Sequence, residues 1–286
     1  MLVYNLSMKI VITVKEIRKI VQELRQENKS IGFVPTMGAL HAGHLRLVKE
    51  SKNKNDVTIV SVFVNPKQFG PKEDLTKYPR PFEQDKKLLE QEKVDYLFYP
   101  NSKEIYPNGF QTSIIVNELS KILEGKSRPT HFAGVSTIVL KLFNLINPTN
   151  AYFGQKDFQQ CIVIKHMIKD LNLSIKINTV PTVRDKDGLA LSSRNIYLNT
   201  QERVQATALY KSLQLAKQLI KSGNKNSEKI KKEIKKYLQK YKLVNLDFVE
   251  ICDLNNLLPV KEIENKVVVL IEAYVGKTRL IDNILI

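Results

Sequence analysis

Ile31-Gly32-Phe33-Val34-Pro35-Thr36-Met37-Gly38-Ala39-Leu40-His41-Ala42-Gly43-His44 is an apolar run that ends in a glycine-bearing turn and passes into a helical pattern carrying two histidines three residues apart. A short buried strand feeding a helix through a tight turn is the unit of open α/β sheets, and such folds bind ligands at that edge. The first turn of a helix has N–H groups without intrahelical partners and the positive end of the macrodipole, so it receives anions. Gly38 makes the turn without a side chain in the way of a ligand, and Gly43 keeps the helix start thin. His41 and His44, at i and i+3, are expected on one face of a helix over Leu40–Lys52, each able to donate to a phosphoryl oxygen. An imidazole can also become cationic beside phosphates near neutral pH. The chemistry this suggests is the binding of a nucleoside triphosphate.

Plainer readings compete. A His-x-x-His pair on a helix is commonly surface decoration or core filling. Zinc needs more than the chain offers: no Glu stands between the pair, and only His131 and His166 remain as further histidine ligands. Position favours phosphate, because the pair follows directly on a strand-to-helix turn.

The chain has 286 residues, 43% of them hydrophobic, enough for one large or two modest cores. Cys161 and Cys252 are too few for a disulfide framework and suit a reducing, cytoplasmic setting. No apolar stretch approaches the roughly 18 residues of a membrane span, so no membrane partner is expected. The first residues lack a basic leader and a small-residue cleavage site. Residues 1–7 read as a loose extension before an ordered body that begins near Lys9.

The net charge of +16 invites a nucleic-acid reading, but Lys211 to Lys242 alone holds eleven lysines against two acids, Glu228 and Glu233. Ile230, Ile234 and Leu238 recur there at i, i+4 and i+8, one apolar helix stripe ringed by lysines. A solvated helix face accounts for this better than a polyanion site, and only Tyr237 and Tyr241 are available for base stacking.

Strand patterns occur at Ile31–Val34, Val57–Val64, Tyr96–Tyr99, Thr112–Val116, Ala151–Phe153 and Ser174–Val180. Helix patterns alternate with them at Val14–Gln26, Leu40–Lys52, Pro81–Glu92, Val135–Ile146 and Phe158–Asp170. Pro81 suits a first helical turn, and Pro148 follows a helix end. The alternation predicts an α/β fold, a Rossmann-like doubly wound parallel sheet, over residues 1–180. The pattern then changes. Arg184–Gly188 reads as a tight hairpin turn, Asn199 with Glu202 as a capping box opening a helix to Ser222, and a second helix spans about 226–242. Strands at Asp247–Cys252, Lys266–Tyr274 and Arg279–Ile286 follow, predicting a smaller α+β domain over 181–286.

Six segments in order carry a resemblance. Beside Pro35–Leu45, a variant of the His-Ile-Gly-His phosphate motif, stand Phe63-Val64-Asn65-Pro66-Lys67-Gln68-Phe69, Glu73–Arg80, His131-Phe132-Ala133-Gly134-Val135, Ala151–Asp157 with Gln159 and Gln160, and Leu189–Asn195. Together they cover most of residues 31–197, and the chain resembles the pantothenate synthetase family, ATP-dependent ligases that join pantoate to β-alanine. The residues themselves agree with this. Asn65, Gln68 and Phe69 follow an apolar strand, where side-chain amides can both donate to and accept from a small hydroxy acid. Gly154-Gln155-Lys156-Asp157 follows another strand and opens a helix, which puts Lys156 near phosphates. Ser192-Ser193-Arg194 offers two hydroxyls and a guanidinium fork for several phosphate oxygens, although alone it would read as a surface turn.

The resemblance implies ATP contacts from Met37, Gly38, Ala39, Leu40, His41, Ala42, Gly43 and His44, from Gly154, Gln155, Lys156 and Asp157, from the backbone of Val183, and from Leu191, Ser192, Ser193 and Arg194. His44, His41, Lys156 and Arg194 take the catalytic roles. Asn65, Gln68 and Gln160 meet pantoate, Gln68 later meets β-alanine, and Asp85 is linked to the magnesium that accompanies ATP. The family also implies a homodimer. Three positions depart from its pattern: Ala133 stands where Arg is usual, Leu191 replaces Met, and Pro81-Phe82 replaces Thr-Leu.

The implied reaction has two steps, formation of pantoyl adenylate with loss of diphosphate, then attack by β-alanine to give pantothenate and AMP. The 181–286 domain is expected to cover the site. Three rivals remain: a nucleotidyltransferase that stops at the nucleotidyl product, a fragment of a class I aminoacyl-tRNA synthetase, and a non-catalytic polyanion binder. Asn65, Gln68, Lys156 and Gln160 speak against the first. Ser192-Ser193-Arg194, where lysines are usual, speaks against the second.

Overall fold

The computed structural model describes residues 8–71 and 73–286. The loose extension read over residues 1–7 lies outside the described residues. The chain forms two compact units, one of residues up to Gly154 with Val163–Val180, the other of Gln155–Ile162 with Pro181–Ile286.

The first unit holds a six-stranded parallel sheet in the order β1 (Lys9–Val11), β4 (Tyr96–Phe98), β3 (Val57–Val62), β2 (Ile31–Thr36), β5 (Asn150–Gly154), β6 (Lys176–Val180). Its helices are α1 (Val14–Gln26), α2 (Ala42–Lys52), α3 (Phe82–Gln91), the single turns α4 (Ser102–Ile105) and α5 (Glu124–Ser127), and α6 (His131–Ile146). The next helix, α7 (Phe158–Asp170), begins in residues grouped with the second unit.

Successive side chains of a strand point to opposite faces, and β2 shows that both faces of the sheet are covered. The Phe33 ring meets Phe143 of α6 edge-on at 6.4 Å, whereas Val34 joins a cluster with Leu47 and Val48 of α2 and Leu89 of α3. The sheet is therefore doubly wound. The chain runs outward from β2 through β3 to β4 on one side and through β5 to β6 on the other, so the order reverses between β2 and β5. Ligand crevices of open α/β sheets form at the carboxyl ends of strands at such a reversal.

Several sequence expectations are corrected. Thr112–Val116 is no strand: Ile114 N–H donates 2.9 Å to Thr137 Oγ1 on α6 rather than to a ladder, and Ile115 is 57% exposed. β-Branched residues favour a pleated, half-buried surface, and among the described residues this run has no neighbouring strand to supply one. α2 begins at Ala42, with His41 as its N-cap. Pro81 caps α3 from outside rather than sitting in its first turn.

In the second unit α8 (Thr200–Lys221) and α9 (Ser227–Leu238) accompany the antiparallel sheet β7 (Val244–Asp253), β8 (Val267–Val275), β9 (Thr278–Leu285). The capping box that opens α8 is formed: Asn199 N–H donates to Glu202 Oε2 and Glu202 N–H to Asn199 Oδ1, both at 2.9 Å. α9 stops at Leu238, short of 242, because the chain turns there through Tyr241 into a longer β7. Ile230, Ile234 and Leu238 are buried in the core, while Lys231 pairs with Glu228 at 2.7 Å and Glu250 at 2.9 Å. The lysine-rich stretch thus contributes a packed apolar stripe with a charged exterior. No helix of the described residues is long and apolar enough to cross a membrane.

Candidate active site

β2 ends at the sheet's carboxyl edge, where Thr36 Oγ1 donates to Ser61 O at 2.9 Å and accepts from Gly38 N–H at 3.2 Å. Gly38 has φ +84°, and a Cβ there would lie 3.0 Å from both Asp85 Oδ2 and Val62 Cγ1. Ala39 also adopts positive φ, +50°, a conformation that costs an L-residue about 1–2 kcal/mol. Asp85 of α3 offsets this: its Oδ2 accepts from Ala39 N–H at 2.8 Å and its Oδ1 from Leu40 N–H at 2.7 Å. Burial pushes the Asp85 carboxyl up from its ordinary range, against the pull of the Leu40 and Ala39 donors.

The two histidines close on one another. Gly43 N–H donates to His41 Nδ1 at 3.1 Å, and His41 N–H donates to His44 Nδ1 at 3.3 Å. The rings stack obliquely with centroids 4.1 Å apart. A backbone N–H can only donate, so each Nδ1 carries a lone pair and each neutral ring carries its proton on Nε2. The histidines therefore do not share a helix face as expected. One caps the helix, the other caps the cap, and both present an Nε2–H donor. Gly43 is needed because a Cβ would lie 2.8 Å from the His41 ring.

Each Asp85 oxygen holds one backbone N–H group, and the residue is 1% exposed. Its work in the structure is to clamp the Ala39–Leu40 turn.

Behind β3, Asn65 caps the 3-10 turn Pro66–Gln68. Its Nδ2 donates to Gln68 Oε1 at 3.0 Å and Gly134 O at 3.1 Å, while its Oδ1 accepts from Tyr106 OH at 2.8 Å and Lys67 N–H at 3.3 Å. An Asn has two donor hydrogens and two acceptor lone pairs, so its capacity is filled internally. In this arrangement Asn65 orients Gln68. The Gln68 amide donates to Met37 Sδ at 3.1 Å, a weak acceptor that a substrate oxygen can replace. Its backbone carbonyl accepts from His131 Nδ1 at 2.9 Å. Arg128, whose Nε and Nη2 grip Glu73 at 2.9 and 2.6 Å, reaches the same carbonyl at 3.4 Å. From sequence Arg128 has no role, and His131 stands only as a spare histidine ligand and in the segment His131–Val135. The signal for both was the charge and aromaticity of a buried run, which spacing alone does not interpret.

Gly154 ends β5, and a Cβ built on it would meet nothing within 4 Å, which leaves room for a ligand. In the second unit the 3-10 turn Gln155–Asp157 leads into α7, with Gln160 half-buried in its first turns. Lys156 Nζ lies 3.5 Å from Asp157 Oδ1. The backbone of this turn is held from β9. Asn283 Nδ2 donates to Gln155 O and Lys156 O, each at 2.9 Å, and Gln155 Nε2 donates back to Asn283 Oδ1 at 3.2 Å.

In the same unit Arg184 and Ala190 form an antiparallel bridge, and Leu191 N–H donates to Val183 O at 3.0 Å, so Val183–Leu191 is a hairpin. Arg184 grips Asp282 at 2.6 and 2.8 Å and lies 4.0 Å over the Tyr210 ring. Burial raises the Asp282 carboxyl even beside this guanidinium. Ser192 then caps the 3-10 turn Ser193–Tyr197 by accepting from Arg194 N–H at 3.3 Å. Its hydroxyl thereby shapes the Ser193–Arg194 turn, and Ser193 and Arg194 are half-buried.

Residues 9–285 match the Pantoate-beta-alanine ligase family model. The chain is 53% identical over 273 residues to a pantothenate synthetase of Caldicellulosiruptor saccharolyticus, covering 96% of this chain and 97% of that one. It is 52% identical over 276 residues to that of Thermotoga petrophila, with 96% and 99% covered. Among solved structures, a pantothenate synthetase of Thermus thermophilus superposes with TM-score 0.93 at 40% identity, covering 97% of this chain and 99% of that one. A pantoate-beta-alanine ligase of Francisella tularensis, complexed with beta-gamma ATP and beta-alanine, gives TM-score 0.79 at 39% identity, with 97% of each chain covered. The chain belongs to the pantoate–β-alanine ligase family. It is an ATP-dependent, AMP-forming ligase that makes the amide bond of pantothenate, and the three rival readings give way to this one.

Proposed function

We propose that the ligase reaction proceeds in this chain through pantoyl adenylate, with the paired histidines as oriented donors to the phosphates of ATP. The observation that carries this is the fixed tautomer: both Nδ1 atoms accept backbone N–H bonds, so both Nε2 atoms donate. They do so at the start of α2, where the helix dipole already favours negative charge.

Pantoate's carboxylate attacks the α-phosphorus in line, the bond to the β-phosphoryl oxygen breaks, and diphosphate leaves. β-Alanine's neutral amine then attacks the activated carbonyl, losing a proton as AMP departs. His41 and His44 need form no covalent bond. They stabilise charge as it develops on the transferred phosphoryl group. Gln68, oriented by Asn65 and by the donors at its carbonyl, exchanges its Met37 sulfur contact for an oxygen of pantoate. Lys156 and Arg194 bring cationic charge for the triphosphate, Ser193 a hydroxyl, and Gln160 an amide for pantoate. Magnesium enters as the partner of the triphosphate. The family resemblance links Asp85 to it, and no step is assigned to it. Homodimerisation rests on the family resemblance and a cytoplasmic setting on the count of two cysteines, and light scattering of the purified protein tests the first.

The experiment is pantoate-dependent exchange of labelled diphosphate into ATP. Exchange with ATP, magnesium and pantoate, without β-alanine, is the expected result. Exchange that requires β-alanine would remove the adenylate step.

A further inference from the structure

We propose that Asn283, near the end of β9, is a positioning residue that sets the backbone of Lys156. Asn283 is 1% exposed, and its single amide nitrogen donates to two successive carbonyls, Gln155 O and Lys156 O, at 2.9 Å each. Those carbonyls belong to the two planar peptide units that flank the Lys156 Cα. Each unit is rigid, so holding both leaves φ and ψ of Lys156 little freedom and fixes the direction in which its side chain departs. The bond returned by Gln155 Nε2 to Asn283 Oδ1 at 3.2 Å orients the amide for this task.

Asn283 is itself located by its neighbour. Its backbone N–H donates to Asp282 Oδ1 at 2.8 Å, and the Asp282 carboxylate is gripped by both terminal nitrogens of Arg184. Arg184 Nη2 also reaches Asn283 O at 3.3 Å. Arg184 stands in the hairpin Val183–Leu191, which runs directly into Ser192-Ser193-Arg194. The pair Asp282-Asn283 thus ties the Lys156 turn and the stem of the Arg194 loop to one strand. No contact of Asn283 with substrate is required.

The inference rests on the reading of Lys156 as a phosphate-binding group, and a double-mutant cycle separates the two. Lys156→Ala, Asn283→Ala and the double variant are compared in pantoate-dependent diphosphate exchange. Val269→Ala, a cavity in the buried face of the adjacent strand β8, serves as the control for lost stability. Misplacing a reacting group by about 1 Å costs on the order of 10²-fold, so Asn283→Ala is expected to slow exchange by about 10–100-fold. It should do so in a folded protein, by circular dichroism and melting, while Val269→Ala lowers the melting temperature and keeps the rate within about twofold. In the Lys156→Ala background, Asn283→Ala should cost less than about twofold, because there is no ammonium left to place. Losses that multiply instead would overturn the inference and leave the Lys156 reading standing. A Lys156→Ala variant with full activity would overturn both. Should Asn283→Ala fail to fold, Asn283→Leu keeps the volume and has no donor, and full exchange by that variant overturns the inference.

Discussion

Two turns of this molecule do comparable work by opposite means. After β2, the helix start is organised by its own neighbours in sequence: His41 binds the N–H two residues on, and His44 binds the N–H three residues back. After β5, the turn Gln155–Asp157 is held by Asn283, a residue 128 and 127 positions distant from the two carbonyls it binds. The first is a local motif that the helix folds around. The second exists only when the C-terminal hairpin is in place. Function can be written into a chain at either range, but only the first kind can be read from a short window.

Substitution of His44 tests the local turn and should have the largest effect. His44→Ala is expected to reduce adenylate formation by about 10²–10³-fold, the scale of one lost oriented donor. His44→Gln sharpens the point. Gln at that position can complete a capping box, so the melting temperature should stay near wild type while diphosphate exchange stays low. A Gln variant of full activity would reduce the histidine to a helix cap.

Asp85 shows that the local turn still needs one distant contact. Asp85→Ala removes the carboxylate that accepts from the Ala39 and Leu40 N–H groups, and the expected loss is about 2–4 kcal/mol in urea unfolding. An unchanged midpoint would show that the turn holds itself. The sign of the pH effect follows from burial. The Asp85 carboxyl lies above its ordinary 3.8 when folded, so the folded protein holds this proton more tightly than the unfolded chain. Its contribution to stability is present below 3.8 and is lost as pH rises through the folded value. Asp85→Asn should remove that component from the acid side of the stability curve.

The Asn283 cycle comes next in size, and additive losses there would dissolve the contrast between the two turns. Lys231→Ala on α9 marks the floor. Its ion pairs with Glu228 and Glu250 are partly solvated, and the expected change is below about 1 kcal/mol, reduced further by salt.

Legibility followed the range of the interactions. The doubly wound sheet was readable because a strand buried along its whole length, such as β3, is mostly apolar, and the Asn199–Glu202 box because its two bonds span three residues. Thr112–Val116 misled because composition reports what a residue would do beside a neighbouring strand, and none stands beside it among the described residues. The type and position of Asn65 suggest a substrate contact. Only its four partners, contributed by Gln68, Gly134, Tyr106 and Lys67, show that it is filled.

By itself the sequence determined the sheet, the glycine turn that opens α2 and the order of motifs that marks the family. These depend on the spacing of residues within single elements, where backbone geometry places neighbours without help. Tertiary structure alone decided that Asp85 clamps a turn, that Asn65 orients Gln68, and that Asn283 holds the peptide planes around Lys156. Each of these is a choice among partners for a buried polar group, and that choice is made only when distant segments close around it and exclude the water that would otherwise serve.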